Sequence, residues 1–277
     1  MESGRRKEDK YLFSLHITKR WGKQMKFAIV TGASRGLGLE VSKNLLKNDY
    51  NLITISRKRK TNELKNLANE NRRSYFHHSC DLSDLEAFND TLHEIVVSLT
   101  NQKEIEELLI VNNAGMVSPM GPVGELKNYS IAQHVAVNLT APMLLVNTIK
   151  KDVEVGHLFV VNVTSGAAEN GMYGWNAYCS TKAGVNMYTE TAALEAEALK
   201  SGDMHVAFSP GVMDTDMQKE IRGTDEHSFQ AVDKFKQLKE NGELRSPKEV
   251  ADLMTELIVE RQSIQNGKVY HVNDLSK

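Results

Sequence analysis

The sequence predicts a single α/β domain built as a doubly wound, mostly parallel sheet. Three observations carry this. Short apolar runs recur along the chain, separated by stretches of helical periodicity. The first run, Met25 to Thr31, leads straight into a glycine-rich turn and then a helix. Small or polar residues repeatedly follow the ends of the apolar runs, where such sheets bind ligands.

The chain has 277 residues, a net charge of −2, 40% hydrophobic residues and 25% charged ones, which suits one sizeable core. Near-neutral charge gives no electrostatic case for a nucleic-acid partner. No apolar run reaches the ~18 residues of a membrane span. Cys80 and Cys179 make no disulfide framework and suggest no metal site, which fits a reducing, cytoplasmic compartment. Residues 1–24 are expected to form a poorly ordered extension, with Met25 as an alternative start. Their acidic residues argue against a transit peptide, and their apolar part is too short for a secretory core. The domain is expected to run from 25 to 277.

Met25–Thr31 reads as a buried strand. T-G-A-S-R-G-L-G (Thr31 to Gly38) follows, then a helix through Val41, Leu45 and Leu46. Gly32, Gly36 and Gly38 let the backbone approach a pyrophosphate, and the helix N-terminus supplies free N–H groups. The fold is then Rossmann-type. The second strand, Asn51–Ser56, runs into Arg57 where a NAD-binding site would place an acid; Arg35 lies inside the glycine loop. Cations at both places favour a 2′-phosphate, hence NADPH.

A helix near residues 62–71, a strand over 74–79 and a helix through Leu85–Leu99 come next. Asp81 either accepts from an adenine amine or caps that helix, a role Ser83 also fits. His77 and His78 face opposite sides of their strand and read as structural. A strand over Leu108–Val111 ends in N-N-A-G (Asn112 to Gly115). The long helix expected over 131–151 contains Asn138, costly in apolar surroundings unless partnered. Pro142 removes a backbone donor and is expected to kink the helix. Asn138 is therefore expected to bond a freed carbonyl or hold a water.

The fifth strand, 156–164, delivers Ser165. A helix from about Trp175 to Lys200 then places Tyr178 and Lys182 side by side at i and i+4. A neighbouring cation typically lowers a tyrosine pKa of ~10 by roughly 1–3, which suits Tyr178 to proton transfer. A sixth strand over 204–208, helices over 229–239 and 247–261, and a last strand over 269–272 complete the pattern. Met172, Trp175, Met213 and Met217 read equally well as plain core or as an adaptable apolar pocket beside Ser165 and Tyr178.

In their order, T-G-A-S-R-G-L-G, Asp81, N-N-A-G, Asn138, Ser165, Tyr178, Lys182 and P-G-V (Pro210 to Val212) resemble the short-chain dehydrogenase/reductase family. The resemblance spans Met25 to the C-terminus. It implies Tyr178 as acid/base, Lys182 lowering its pKa and holding the nicotinamide ribose, Ser165 polarising the carbonyl, and Asn138 supporting a relay water. The cofactor-binding set it implies is Gly32, Ser34, Arg35, Gly36, Leu37, Gly38, Ser56, Arg57, Asp81, Leu82, Asn113, Ala114, Gly115, Tyr178, Lys182, Gly211, Val212 and Thr215.

Within the family, N-L-T-A-P, G-W-N-A-Y-C-S-T-K and P-G-V-M-D-T-D-M-Q are similar to benzil and sepiapterin reductases. The place where a sepiapterin reductase would anchor its pterin falls on His271, with Asp274 three residues on. The preferred expectation is reduction of one ketone of a vicinal aromatic diketone, such as benzil to (S)-benzoin. Pterin carbonyl reduction and a non-catalytic NADPH-binding sensor or scaffold are the alternatives. The partner implied is a small carbonyl compound, and the family likeness implies a homodimer or homotetramer.

Overall fold

The computed structural model describes residues 25–57, 62–102, 104–261 and 264–275. The expected extension over 1–24 lies outside them.

Seven strands form one parallel sheet in the order β3-β2-β1-β4-β5-β6-β7. They are β1 (Met25–Thr31), β2 (Asn51–Ser56), β3 (Tyr75–Ser79), β4 (Ile105–Asn112), β5 (His157–Val163), β6 (Met204–Ser209) and β7 (Val269–His271). The apolar runs form strands because both faces are covered. In β1, Ala28 and Val30 join one core, while Phe27 and Ile29 join the other. In β4, Leu109 and Val111 alternate in the same way with Leu108 and Ile110.

The first face is covered by α1 (Gly36–Lys47), α2 (Asn62–Glu70) and α9 (Pro247–Val259), which bring Val41, Leu45, Leu64, Met254 and Ile258. The second is covered by α3 (Leu85–Thr100) and α5 (Ala141–Asp152), with Phe88, Leu92, Ile95, Leu145 and Ile149. Each fully buried Leu, Ile or Phe contributes roughly 1.5–3 kcal/mol.

The sequence-predicted long helix is broken. α4 (Asn128–Val135) and α5 are joined by a single π turn, Ala136–Thr140, where the Ala141 N–H donates to the Ala136 carbonyl five residues back. Pro142 explains the irregularity, because its ring nitrogen cannot donate to the Asn138 carbonyl. The kink expected at Pro142 is thus a π turn. Two short helices were not legible in the sequence: α7 (Asp216–Arg222) and α10 (Val272–Leu275). Between them in the chain lies α8 (Val232–Glu240); α6 (Asn176–Leu199) is the longest helix of the described residues. The N-cap of α3 is Asp84, whose carboxylate accepts from the Ala87 N–H, rather than Asp81 or Ser83.

Near the N-terminal end of β4, Glu107 is buried and takes two bonds from Arg261, at 2.7 and 2.6 Å, and one from the Tyr50 hydroxyl. Burial would raise the Glu107 carboxyl, but the Arg261 and Tyr50 bonds outweigh it and hold it below its ordinary value. No described helix is long and apolar enough to cross a membrane.

Candidate active site

Strand order reverses between β1 and β4, and the loops that follow these two strands face each other across the resulting crevice. They touch directly. A Cβ on Gly32 would lie 2.9 Å from the Ala114 Cα, and one on Gly38 would lie 2.6 Å from the Gly32 carbonyl oxygen. Gly32 and Gly36 also take positive φ values of 71° and 56°. Asn113 fastens the loops by donating from Nδ2 to the Thr31 carbonyl at 2.9 Å. The Thr31 hydroxyl accepts from the Asn113 and Ala114 N–H groups.

The N-cap of α1 is Arg35, and no side chain caps the helix. The first-turn N–H groups are therefore left for an anion, in the glycine context that suits a dinucleotide phosphate. At the far side of the crevice lies the buried Lys182 ammonium, so the residues present fit a dinucleotide.

Four predicted residues converge at the other end of this crevice. Tyr178 and Lys182 sit on α6, both buried, with the ammonium 5.8 Å from the phenol ring centre. Ser165 follows β5; its Oγ accepts from the Ala167 N–H at 3.2 Å and its side chain hydrogen-bonds Tyr178. Asn138 lies in the π turn. Its Oδ1 accepts from the Met116 N–H and its Nδ2 donates to the Met116 carbonyl, both at 2.8 Å. This corrects the expectation that Asn138 serves a carbonyl freed by Pro142, because both ends of its amide hold Met116, in the loop that follows N-N-A-G. Gly115 is the meeting point. A Cβ there would lie 3.5 Å from the Asn138 Oδ1 and 3.7 Å from the Lys182 Nζ.

The electrostatics differ from the simple expectation for a tyrosine beside a lysine. Burial pushes the Tyr178 phenol up, and the Ser165 bond only partly offsets it. The Lys182 Nζ donates to the Val163 carbonyl at 2.8 Å rather than to the phenol. Burial instead lowers Lys182 itself, to about 8.

Above the phenol lies an aromatic cluster. Trp175 stacks on Phe229 with ring centres 4.4 Å apart and meets Tyr178 edge-on at 5.1 Å. Phe235 closes the group at 5.5 Å from Trp175. Met172, Met217 and Val212 pack against this cluster. Met213 does not. It packs into the core on the first face of the sheet and bridges to Arg245, since strand-like backbone there turns alternate side chains apart. Trp175 is buried, so its ring is wall and core at once.

The remaining predicted residues divide. Leu37, Leu82 and Ser56 are buried at the strand and helix ends around the crevice, and Ser34 and Gly36 lie in the glycine loop. Thr215 caps α7, accepting from the Gln218 N–H, and its methyl carbon lies 3.7 Å from where a Gly36 Cβ would be. Gly211 has φ 69° and abuts Val272. Asp81 is occupied within its own loop, its Oδ1 accepting from the Ser83 N–H and hydroxyl. Burial would raise its carboxyl, but those bonds and Arg57 lower it. Arg35 is exposed and ion-paired to Asp216. His271 lies 3.4 Å from Glu169, and Asp274 is exposed on α10.

Sequence reasoning missed His134, which is fully buried beside Asn138. A signal existed: His134 is four residues before Asn138, hence on the same helical face.

This arrangement of fold and site has known relatives. The model of the short chain dehydrogenase family matches residues 26–226, and the chain belongs to that family. It is an oxidoreductase, a carbonyl reductase of a fold that binds NAD(P). Among curated proteins, it is 37% identical over 252 residues to a Bacillus cereus benzil reductase ((S)-benzoin forming), covering 90% of this chain and 100% of the relative. A Bacillus subtilis protein of the same description is 35% identical, over 90% of this chain and 99% of its own. A crystal structure of a Saccharomyces cerevisiae short chain dehydrogenase/reductase superposes with a TM-score of 0.76 at 26% identity, covering 91% of this chain and 98% of that one.

Proposed function

We propose that the protein is an NADPH-dependent reductase of vicinal aromatic diketones, converting benzil to (S)-benzoin. The observation that carries the reading is Trp175, set edge-on against the Tyr178 phenol and backed by Phe229 and Phe235, with Met172, Met217 and Val212 packed on the same cluster. The partly buried Met172, Met217 and Val212, resting on these rings, give an aryl group an apolar lining beside the reacting carbonyl. The full-length similarity to two benzil reductases supports the same substrate class.

When bound, a nicotinamide cofactor would supply the hydride for the carbonyl carbon. The protein does the rest. Ser165 holds the carbonyl oxygen and Tyr178 gives its proton to the developing alkoxide. Lys182, with its pKa brought to about 8, is able to exchange a proton near neutral pH and restores Tyr178. Asn138 keeps the N-N-A-G loop in place through Met116. The first-turn N–H groups of α1 would hold a pyrophosphate, and Arg57 with Arg35, the latter now paired with Asp216, would hold a 2′-phosphate. The apolar side chains Met143, Met187 and Leu194, exposed on α5 and α6, support a homodimer or homotetramer built on those helices.

The test is NADPH oxidation by purified protein with benzil and sepiapterin as parallel substrates and NADH as the cofactor control. Benzil turnover far above sepiapterin, and NADPH above NADH, is the expected result. Sepiapterin turnover above benzil would overturn the substrate and direct attention to His271.

A further inference from the structure

We propose that His134 is a positioning residue for the reduction, one that takes the second amide hydrogen of Asn138 and packs that amide against the turn of α6 carrying Tyr178. The inference rests on the reductase reading above and adds a residue to it.

The hydrogen bonds leave one arrangement. His134 Nδ1 lies 2.8 Å from the Ser118 carbonyl oxygen, which can only accept. Nδ1 therefore carries the hydrogen, and Nε2 of the neutral ring presents a lone pair. Asn138 lies 2.9 Å from Nε2, so it must turn its NH2 end to the ring. That NH2 has two hydrogens, one for His134 and one for the Met116 carbonyl, and the oxygen end is committed to the Met116 N–H. Every donor of the amide is used.

Turned the other way, the amide would set its oxygen against the Nε2 lone pair and its NH2 against the Met116 N–H. It would also present NH2 in place of oxygen where Asn138 and the Lys182 ammonium converge on Gly115. The imidazole thus reinforces the orientation set by the Met116 backbone, which keeps the amide oxygen on the Lys182 side of the site. The Thr181 hydroxyl, between Tyr178 and Lys182 in sequence, packs 3.1 Å from Nε2 while giving its hydrogen to the Ala177 carbonyl at 2.9 Å. Tyr178 itself meets the imidazole edge-on at 6.1 Å.

The arrangement requires a neutral ring. Burial lowers the His134 pKa below its ordinary value, the Ser118 bond opposes this, and the Lys182 charge lowers it further. Lys182 and Tyr178, both on α6, are the titratable groups that bear on it.

A buried histidine that merely fills space would behave differently under substitution. In His134→Gln the side-chain oxygen reaches the place of Nε2 and keeps an acceptor for Asn138. His134→Asn keeps only the Ser118 donor, and His134→Phe keeps neither. With benzil as probe, Phe and Asn are expected to lower kcat on the order of tenfold or more, and Gln to stay within about threefold of wild type. In an Asn138→Ala background the three are expected to be alike within about twofold, because the partner they act through is gone. Equal losses in both backgrounds would overturn the proposal, as would Gln falling with Phe.

Hydrogen exchange at the Met116 backbone N–H is the second readout, and it needs no turnover. It is expected to quicken in His134→Phe and not in His134→Gln; unchanged exchange in Phe overturns the inference. A wild type inert towards benzil would count against the substrate reading alone, with Met116 exchange still deciding the role of His134.

Discussion

Replacing Gly38 by alanine sets two well-measured effects against each other. Gly38 is the third residue of α1, and helix propensity alone would favour alanine there by ~0.8–1 kcal/mol. The structure opposes it. The new Cβ would lie 2.4 Å from the Asn113 Nδ2 and 2.6 Å from the Gly32 carbonyl oxygen. The Asn113 amide is itself tied to Thr31, and the Gly32 oxygen is backbone, so neither yields freely. Overpacking of this kind costs about 1–3 kcal/mol, and loosening the Asn113 bond adds ~1 kcal/mol.

The clash wins, leaving Gly38→Ala destabilised by roughly 1–3 kcal/mol, which at ~2–4 °C per kcal/mol lowers Tm by about 2–12 °C. The same displacement opens the junction between the glycine loop and N-N-A-G, so the NADPH Kd should rise at least tenfold by fluorescence titration. Gly171→Ala, with open space around the new methyl group, is the control and should change neither. A Gly38→Ala protein melting at or above wild type would refute the reasoning about the crevice.

Other outcomes follow from the same structure. Arg57→Ala should reduce kcat/KM for NADPH about 10–100-fold while leaving NADH nearly unchanged, as expected for loss of a charge-assisted bond of ~1.5–3 kcal/mol; steady-state kinetics with both cofactors checks it. Glu107→Ala strands Arg261 and should cost on the order of 3 kcal/mol in chemical denaturation with kcat unaltered, since this ion pair lies at the opposite end of β4 from N-N-A-G. Burial holds His205 down to about 4 from its ordinary 6.5, with Asp203 opposing. The unfolded chain therefore binds this proton first as pH falls, and stability is lost between 6.5 and about 4, by roughly 3 kcal/mol from this group. His205→Leu should flatten that part of the denaturation profile.

Much of this architecture is legible before folding because burial on two faces forces runs such as L-L-I-V and L-F-V-V to be apolar throughout. The first glycine turn is legible for a related reason, as only glycine tolerates the approach of Ala114 to Gly32. Short elements are not. α7 has only seven residues and α10 four, too few to show a period. The π turn escapes because Pro142 marks an irregularity without saying whether the chain bends or widens.

Partners across the chain are the least visible. Nothing local to Arg35 announces Asp216, 181 residues away. Nothing in the methionines distinguishes Met217, packed on the aromatic cluster, from Met213, packed on the core. The burial that raises the Tyr178 phenol is hidden from the sequence for the same reason. The i,i+4 spacing places Lys182 near Tyr178, but the Val163 carbonyl, supplied by a strand, takes the ammonium's hydrogen bond.

The central claim is that Tyr178 is the proton donor of a carbonyl reductase. Tyr178→Phe keeps the ring that packs against Trp175 and His134, so the fold should stand, with only the Ser165 bond lost. NADPH oxidation with benzil, followed at its absorbance for wild type and Tyr178→Phe at equal cofactor occupancy, is the most direct measurement. A fall in kcat on the order of 10²–10⁴-fold with NADPH binding intact is the predicted result. Near-wild-type turnover by the phenylalanine variant would contradict the account.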